Sequence, residues 1–176
     1  MVISISFFKK AGLHLEDLER MISVDIPGRG KITLKNLVLD FNGTLALDGK
    51  LLPGVKERLE ALSKIMDIYI ITADTFGTVR SLCSEIKAKV EILKEPLGAR
   101  EKLKFLKKLN AAETAAIGNG SNDSLMLAGA ALGIMVLGPE GASAKALLAA
   151  DALVSDINHG LDLLLNTARL VATLRG

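Results

Sequence analysis

A chain of 176 residues, 49% of them hydrophobic, is long enough to bury one substantial core, and the expectation is a single domain with room for a short appendage. Its formal charge of +2 is spread over mixed Lys, Arg, Asp and Glu, and with no Trp and one Tyr it offers neither a basic stripe nor stacking aromatics, which excludes nucleic acid as the main partner. The single Cys83 precludes an internal disulfide or a Cys-x-x-Cys metal site, and its helix-like surroundings point to a small buried side chain in a reducing compartment.

At the start, "MVISISFFKKAG" places apolar residues ahead of its lysines, the reverse of a secretory signal, and no apolar run reaches the roughly 20 residues of a membrane span. A soluble, cytoplasmic protein without a membrane partner is expected. Leu13, Leu15, Leu18 and Met21 recur near helical spacing with charges between them, which predicts a short amphipathic helix over Lys9 to Met21. "MISVDIPGRGKITL" then alternates around Pro27-Gly28-Arg29-Gly30, a hairpin signal. From Asn36 the pattern changes. Apolar, strand-like runs end at Asp40, Thr72, Leu93, Gly118 and Val136, with a weaker one near Val154. Between them lie "PGVKERLEALSKIM", "TFGTVRSLCSEIK", "GAREKLKFLKKL", "SNDSLMLAGAA" and "GASAKALLAA", each helix-like in composition and spacing.

Strand alternating with helix predicts an α/β fold, a doubly wound and mostly parallel sheet with helices on both faces. Residues 1–33 read as a helix and hairpin extension, and residues 34–176 as the core. In such sheets ligands collect at the carboxyl ends of the strands, where strand order reverses. That edge would gather Asp40, Thr72, and Asn119, Asn122 and Asp123 of "IGNGSND", with Lys102 arriving from the first turns of a helix. A carboxylate, a hydroxyl, a lysine and further oxygen donors suit phosphoryl transfer through an aspartyl phosphate, assisted by Mg²⁺, which takes hard oxygen ligands.

The order and spacing of these segments resemble the haloacid dehalogenase superfamily, and within it soluble proteins similar to the phosphorylation domain of P-type ATPases. "DFNGTLA" resembles DKTGTLT, "KLKFLKKLN" the lysine-led helix before the last motif, "IGNGSNDSLML" the pattern GDGxNDxxML, and "ALGIMV" the strand after it. The likeness runs from Asn36 to about Val154. It implies a Rossmann-like core, a phosphoric monoester hydrolase activity, and a Mg²⁺ ion. It also implies roles: Asp40 as nucleophile, the Asn42 carbonyl as a metal ligand, Thr72 bonding the phosphoryl group, Lys102 neutralising it, and Asn119 with Asp123 completing the metal site.

Two departures weigh on that implication. Many members carry a second Asp two residues after the nucleophile, as acid and base; this chain has Asn42, which cannot exchange a proton usefully near neutral pH, an effect typically worth about 10²–10⁴ in rate. Asn119 replaces the first acid of the last motif, which predicts weaker metal binding. The short spacings from Asp40 to Thr72 and from Thr72 to Lys102 leave no room for a cap domain. A capless member resembles those acting on bulky phosphorylated substrates or roofed by a neighbouring subunit, so a homo-oligomer is expected, with the N-terminal hairpin and helix as contacts.

Each motif has a plainer reading. Asp-x-Asn-Gly after a strand is by itself a common turn, "GNGSND" a helix cap, and Lys102 one lysine among Lys104, Lys107 and Lys108. "GPEGAS" can offer backbone N–H groups to a phosphate, or simply lead into a helix. His14 and His159 have no ligand companions and read as structural or solvated. Three classes therefore stand: a slow Mg²⁺-dependent phosphatase, a phospho-switch or partner-binding module that retains the fold, and a structural oligomer.

Overall fold

Leu37, Val38 and Leu39 are apolar at consecutive positions, so the strand that holds them must be covered on both faces. In a computed structural model, which describes residues 20–73, 79, 86–93 and 98–176, that strand is the interior of a sheet. The expected helix over Lys9 to Met21 lies outside the described residues except for Arg20 and Met21, which are not helical. His14 and Cys83 also lie outside them. So does the segment around Cys83 apart from Val79, which is helical and buried.

A hairpin comes first, β1 (Ile22–Ile26) antiparallel to β2 (Gly30–Leu34), with Val24 opposite Ile32. The core strands follow as β3 (Asn36–Asp40), β6 (Asp67–Thr72), β7 (Ala88–Ile92), β8 (Thr114–Gly118), β9 (Leu132–Val136) and β10 (Ala152–Val154). They form one six-stranded sheet in the order β10-β9-β8-β3-β6-β7. Every pairing in it is parallel, a stricter arrangement than the mostly parallel sheet expected. Strand order reverses between β3 and its neighbours β6 and β8, which is where such folds open a crevice.

Because side chains alternate along a strand, β3 feeds two cores. Leu37 and Leu39 join Ile68, Ile70, Ile117 and Ile134 on one face, covered by α1 (Val55–Leu62) and α5 (Ile157–Leu165) and, beyond them, α6 (Thr167–Leu174). Val38 joins Ile71, Ala116 and Met135 on the other, covered by Leu106 of α2 (Ala99–Lys108), Met126 and Leu127 of α3 (Ser124–Gly129) and Ala146 of α4 (Ala144–Leu147). The sheet is doubly wound. Its outer strand β7 carries Lys89 and Glu91, charges of the kind that keep an open edge from pairing with another chain.

Two features have no counterpart in the sequence reading. A hairpin of two-residue strands, β4 (Ala46–Leu47) and β5 (Lys50–Leu51), follows Asp40 around Asp48-Gly49, both at positive φ. The pair α5 and α6 closes the chain, α5 capped by Asp156, whose carboxylate accepts from Asn158 N at 2.7 Å.

The β1–β2 hairpin packs at the amino ends of the strands. Arg29, in its turn, donates to the Ala131 carbonyl at 2.8 Å and pairs with Asp151 at 2.9 Å, and Arg20 reaches the Ser63 and Met66 carbonyls and Asp67. Ile22 and Leu34 are buried in the main core cluster. The hairpin is thus part of the same hydrophobic unit and lies at the sheet edge opposite the carboxyl ends.

Candidate active site

Asp40 is the last residue of β3, and the chain turns sharply after it. The Phe41 carbonyl accepts from the backbone N–H groups of Thr44, Leu45 and Ala46 at 3.2, 2.8 and 3.0 Å, while the buried Phe41 ring anchors the loop in the core. Gly43 makes this turn possible. Its φ is +74°, and a Cβ there would sit 2.6 Å from both Asn119 Nδ2 and Glu140 Oε2.

Lys102 lies on the buried face of α2 with Leu106, one turn away, whereas Lys104, Lys107 and Lys108 are exposed. Its ammonium donates to Asp40 Oδ1 at 2.5 Å and to Asp123 Oδ1 at 2.6 Å. All three side chains are nearly sealed from water, with Lys102 at 2% and Asp123 at 0% exposure. Such a lysine is no ordinary surface charge. The other oxygen of Asp123 accepts from the N–H groups of Asn119 and Gly120, at 3.1 and 2.8 Å.

The Thr44 hydroxyl bridges Asp40 Oδ2 at 3.2 Å and Asn119 Oδ1 at 3.1 Å. Asn119 is pinned further by its amide donating to the Gly141 carbonyl at 3.2 Å and by its own carbonyl accepting from Ser143 N at 2.9 Å. Thr72, at the end of β6, is buried and lines the same cleft, as does the half-buried Asn42. The cleft measures about 270 Å³. Asp40, Asn42, Thr72, Lys102 and Asn119 all open onto it, and Asp123 braces it from behind. His159 is elsewhere, exposed and bonded to Ser155 at 3.2 Å. Between Asp40 and Thr72 the chain is used up by the β4–β5 hairpin, α1 and β6, so no cap domain is inserted there.

Burial, and next the charge of Asp123, push the Asp40 carboxyl up to about 7, against the opposing pull of Lys102 and Thr44. Burial disfavours the Lys102 charge too, yet Asp40 and Asp123 hold its pKa above the ordinary lysine value. The cluster of two carboxylates and one ammonium therefore favours retaining its protons.

Among the described residues no group of three or more His, Cys, Asp or Glu side chains has the arrangement of a metal cage. The oxygens that converge on the Thr44 hydroxyl, Asp40 Oδ2 and Asn119 Oδ1, are hard donors in the cleft that Asn42 also lines, a set that fits Mg²⁺, which keeps several of its waters. Asp123 already has both oxygens engaged.

In the sequence, Thr44 and Glu140 stand inside longer motifs that assign no part to their side chains. The Thr44 signal was its place four residues after Asp40. Glu140 had no local signal, because what it approaches is 97 residues away in sequence, at Gly43.

No protein-family model matches the chain. It is 50% identical over 93 residues to the uncharacterized protein MJ0073 of Methanocaldococcus jannaschii, a stretch that spans 52% of this chain and 89% of that one. Among solved structures it is similar to the 3-deoxy-D-manno-octulosonate 8-phosphate phosphatase of Moraxella catarrhalis, solved with magnesium and phosphate ions, at a TM-score of 0.63 and 19% identity over 81% of this chain and 94% of that one. It is also similar to a zinc-transporting PIB-type ATPase, at a TM-score of 0.56 and 25% identity over 70% of this chain and 20% of the other. The chain has the fold of haloacid dehalogenase-type phosphatases, and by sequence it belongs to one family with MJ0073.

Proposed function

We propose that this chain is a phosphatase-type hydrolase that cleaves phosphoric monoesters through a phosphorylated Asp40, slowly on generic esters. The observation that carries this reading is the buried Lys102 held between Asp40 and Asp123, three groups from separate elements meeting at the carboxyl edge of the sheet, with Asp40 and Lys102 opening onto the cleft and Asp123 behind them. Packing alone has no use for such a set, whose desolvation is costly. Similarity in fold to phosphatases that act on phosphorylated small molecules supports it.

In this reading an Asp40 oxygen forms a bond to phosphorus as the ester P–O bond breaks, and the leaving alkoxide takes a proton from solvent. Thr72 donates to a phosphoryl oxygen and Lys102 offsets its charge. Water then attacks phosphorus, which releases phosphate and regenerates Asp40. Asp40, the Asn42 carbonyl and Asn119 would hold Mg²⁺, with Asp123 in support; when bound, the ion supplies electrostatic stabilisation of the phosphoryl oxygens. Residues 34–176 form the catalytic core and 1–33 the extension. A bulky phosphorylated substrate, or a second copy of the chain as roof, fits the capless cleft. No helix among the described residues is long and apolar enough to cross a membrane, in keeping with a cytoplasmic site of action.

The test is Mg²⁺-dependent turnover on a panel of phosphate esters, with Asp40→Asn as control; turnover that survives the substitution would sink the proposal. Asn42 favours a second reading, a phospho-switch in which phospho-Asp40 persists for want of a base. A phosphoenzyme that forms from acetyl phosphate and outlasts any catalytic cycle would select it.

A further inference from the structure

Among the described residues, the titratable side chain that lines the cleft besides Asp40 and Lys102 is Glu140. It stands in the turn Gly138–Gly141, closed by Gly141 N donating to the Gly138 carbonyl at 2.9 Å. This turn is fastened to the site. A Cβ on Gly138 would lie 2.5 Å from the Gly43 carbonyl oxygen, so the two loops touch backbone to backbone. The Gly141 carbonyl holds the Asn119 amide, and Ser143 N holds the Asn119 carbonyl. As a result Glu140 Oε2 and Asn119 Nδ2 both lie 2.6 Å from one point, the place a Gly43 Cβ would occupy. A carboxylate from the loop after β9 thus stands beside Asn119, a neutral amide.

The charge balance gives that placement a use. Asp40 and Asp123 contribute two negative charges and Lys102 cancels one, so the buried cluster is short of the charge needed to balance a divalent ion. Resting on the phosphatase reading above, we propose that Glu140 supplies the anionic charge that Asn119 lacks, acting on the hydration shell of the divalent cation bound by Asp40 and Asn119. A Mg²⁺ ion that keeps most of its waters is held as much by acceptors for those waters as by direct ligands. Glu140 is on an exposed turn and can be altered without disturbing the core.

The experiment is direct Mn²⁺ titration of the full chain, read by the electron paramagnetic resonance of the free ion, so that no turnover is needed. Wild type should bind one ion and Asp40→Asn should abolish that binding. Glu140→Gln should weaken it about 10–100-fold, the range for removing an outer-shell partner. Asn119→Asp added to Glu140→Gln should restore it, and Glu60→Gln, an exposed acid on α1, should leave it unchanged. Glu140→Gln binding as wild type does, or Glu60→Gln weakening it equally, would overturn the role of Glu140 while leaving the Asp40 site standing. No ion bound by wild type, or equal binding by Asp40→Asn, would remove the cation site itself and Glu140's part with it; acid-quench trapping of phospho-Asp40 judges the nucleophile separately.

Discussion

Lys102 and Asp40 are 62 residues apart in sequence and 2.5 Å apart in space, and the same ammonium reaches Asp123 at 2.6 Å. Removing it would leave two buried carboxylates facing each other without a cation. Lys102→Met is expected to cost about 3–5 kcal/mol of folding stability, the range for breaking a buried ion pair from one side. Lys102→Met with Asp123→Asn should recover part of the loss, since the pair is coupled. Urea denaturation of the four proteins in the cycle measures both. A Lys102→Met variant as stable as wild type would mean that the cluster is solvated.

The elevated Asp40 pKa makes a second prediction, for stability against pH. Unfolded, the carboxyl titrates near its ordinary value of 3.8; folded, burial and then Asp123 raise it to about 7. Between those values the native state holds the extra proton. The contribution is therefore fully present below pH 3.8 and is lost as pH rises through about 7. It amounts to at most about 4 kcal/mol. Asp40→Asn removes this titration, so the stability of wild type minus that of the variant should fall from about pH 4 to about pH 8 in a chelator. Asp162, held low chiefly by its hydrogen bond from Arg58, has the opposite sign: its share is present above its ordinary value and lost as pH falls through the folded one. Both proteins keep it, so it cancels. A flat difference would contradict the shift at Asp40.

Much of this site was legible because each group sits at a strand end or helix start that short-range signals mark. Asp40, Thr72, Gly118 and Val136 end their strands where the apolar runs end, while β7 stops at Ile92, one residue before the run does. Lys102 was harder: only the tertiary fold separates its buried position from the exposed Lys104, Lys107 and Lys108. The two-residue strands β4 and β5 are too short to show a period. Gly160 obscures α5, because a glycine weakens a helical pattern in the sequence, and the fold gives it no compensating signal: a Cβ there would sit in ordinary contact, 3.4 Å from Val154 and 3.6 Å from Ile117 and Ile134. Glu140 was illegible in principle, since its meaning comes from contact with a loop in the other half of the chain.

A third prediction identifies the nucleophile. With Mg²⁺ and beryllofluoride, a crystal structure should show the phosphate mimic bonded to an Asp40 oxygen, with Thr72 and Lys102 in contact with its fluorines. Oxygen ligands from Asp40, the Asn42 carbonyl and Asn119 should surround the ion at about 2.0–2.1 Å. A mimic bound elsewhere, or a metal at His159, would remove Asp40 from the role.

The amide at Asn42 sets the last prediction. It lines the cleft two residues beyond Asp40, where a carboxyl could give a proton to the leaving alkoxide and later take one from water. Asn42→Asp should therefore accelerate ester hydrolysis, by up to the roughly 10²–10⁴ that general acid–base groups supply. The gain has a limit. A new carboxylate would add a third negative charge beside Asp40, whose pKa burial and Asp123 already raise to about 7, and a further like charge would raise it more unless a cation offsets it. The acceleration should thus require Mg²⁺ and shrink as pH falls. Wild type should behave oppositely: with acetyl phosphate, whose leaving group needs little protonation, phospho-Asp40 should accumulate because its hydrolysis lacks a base. Acid-quench trapping across a single turnover measures both proteins. Rapid hydrolysis of alkyl phosphates by wild type without a detectable phosphoenzyme, together with no gain from Asn42→Asp, would mean that some other group moves the proton, and that the amide does not limit the reaction.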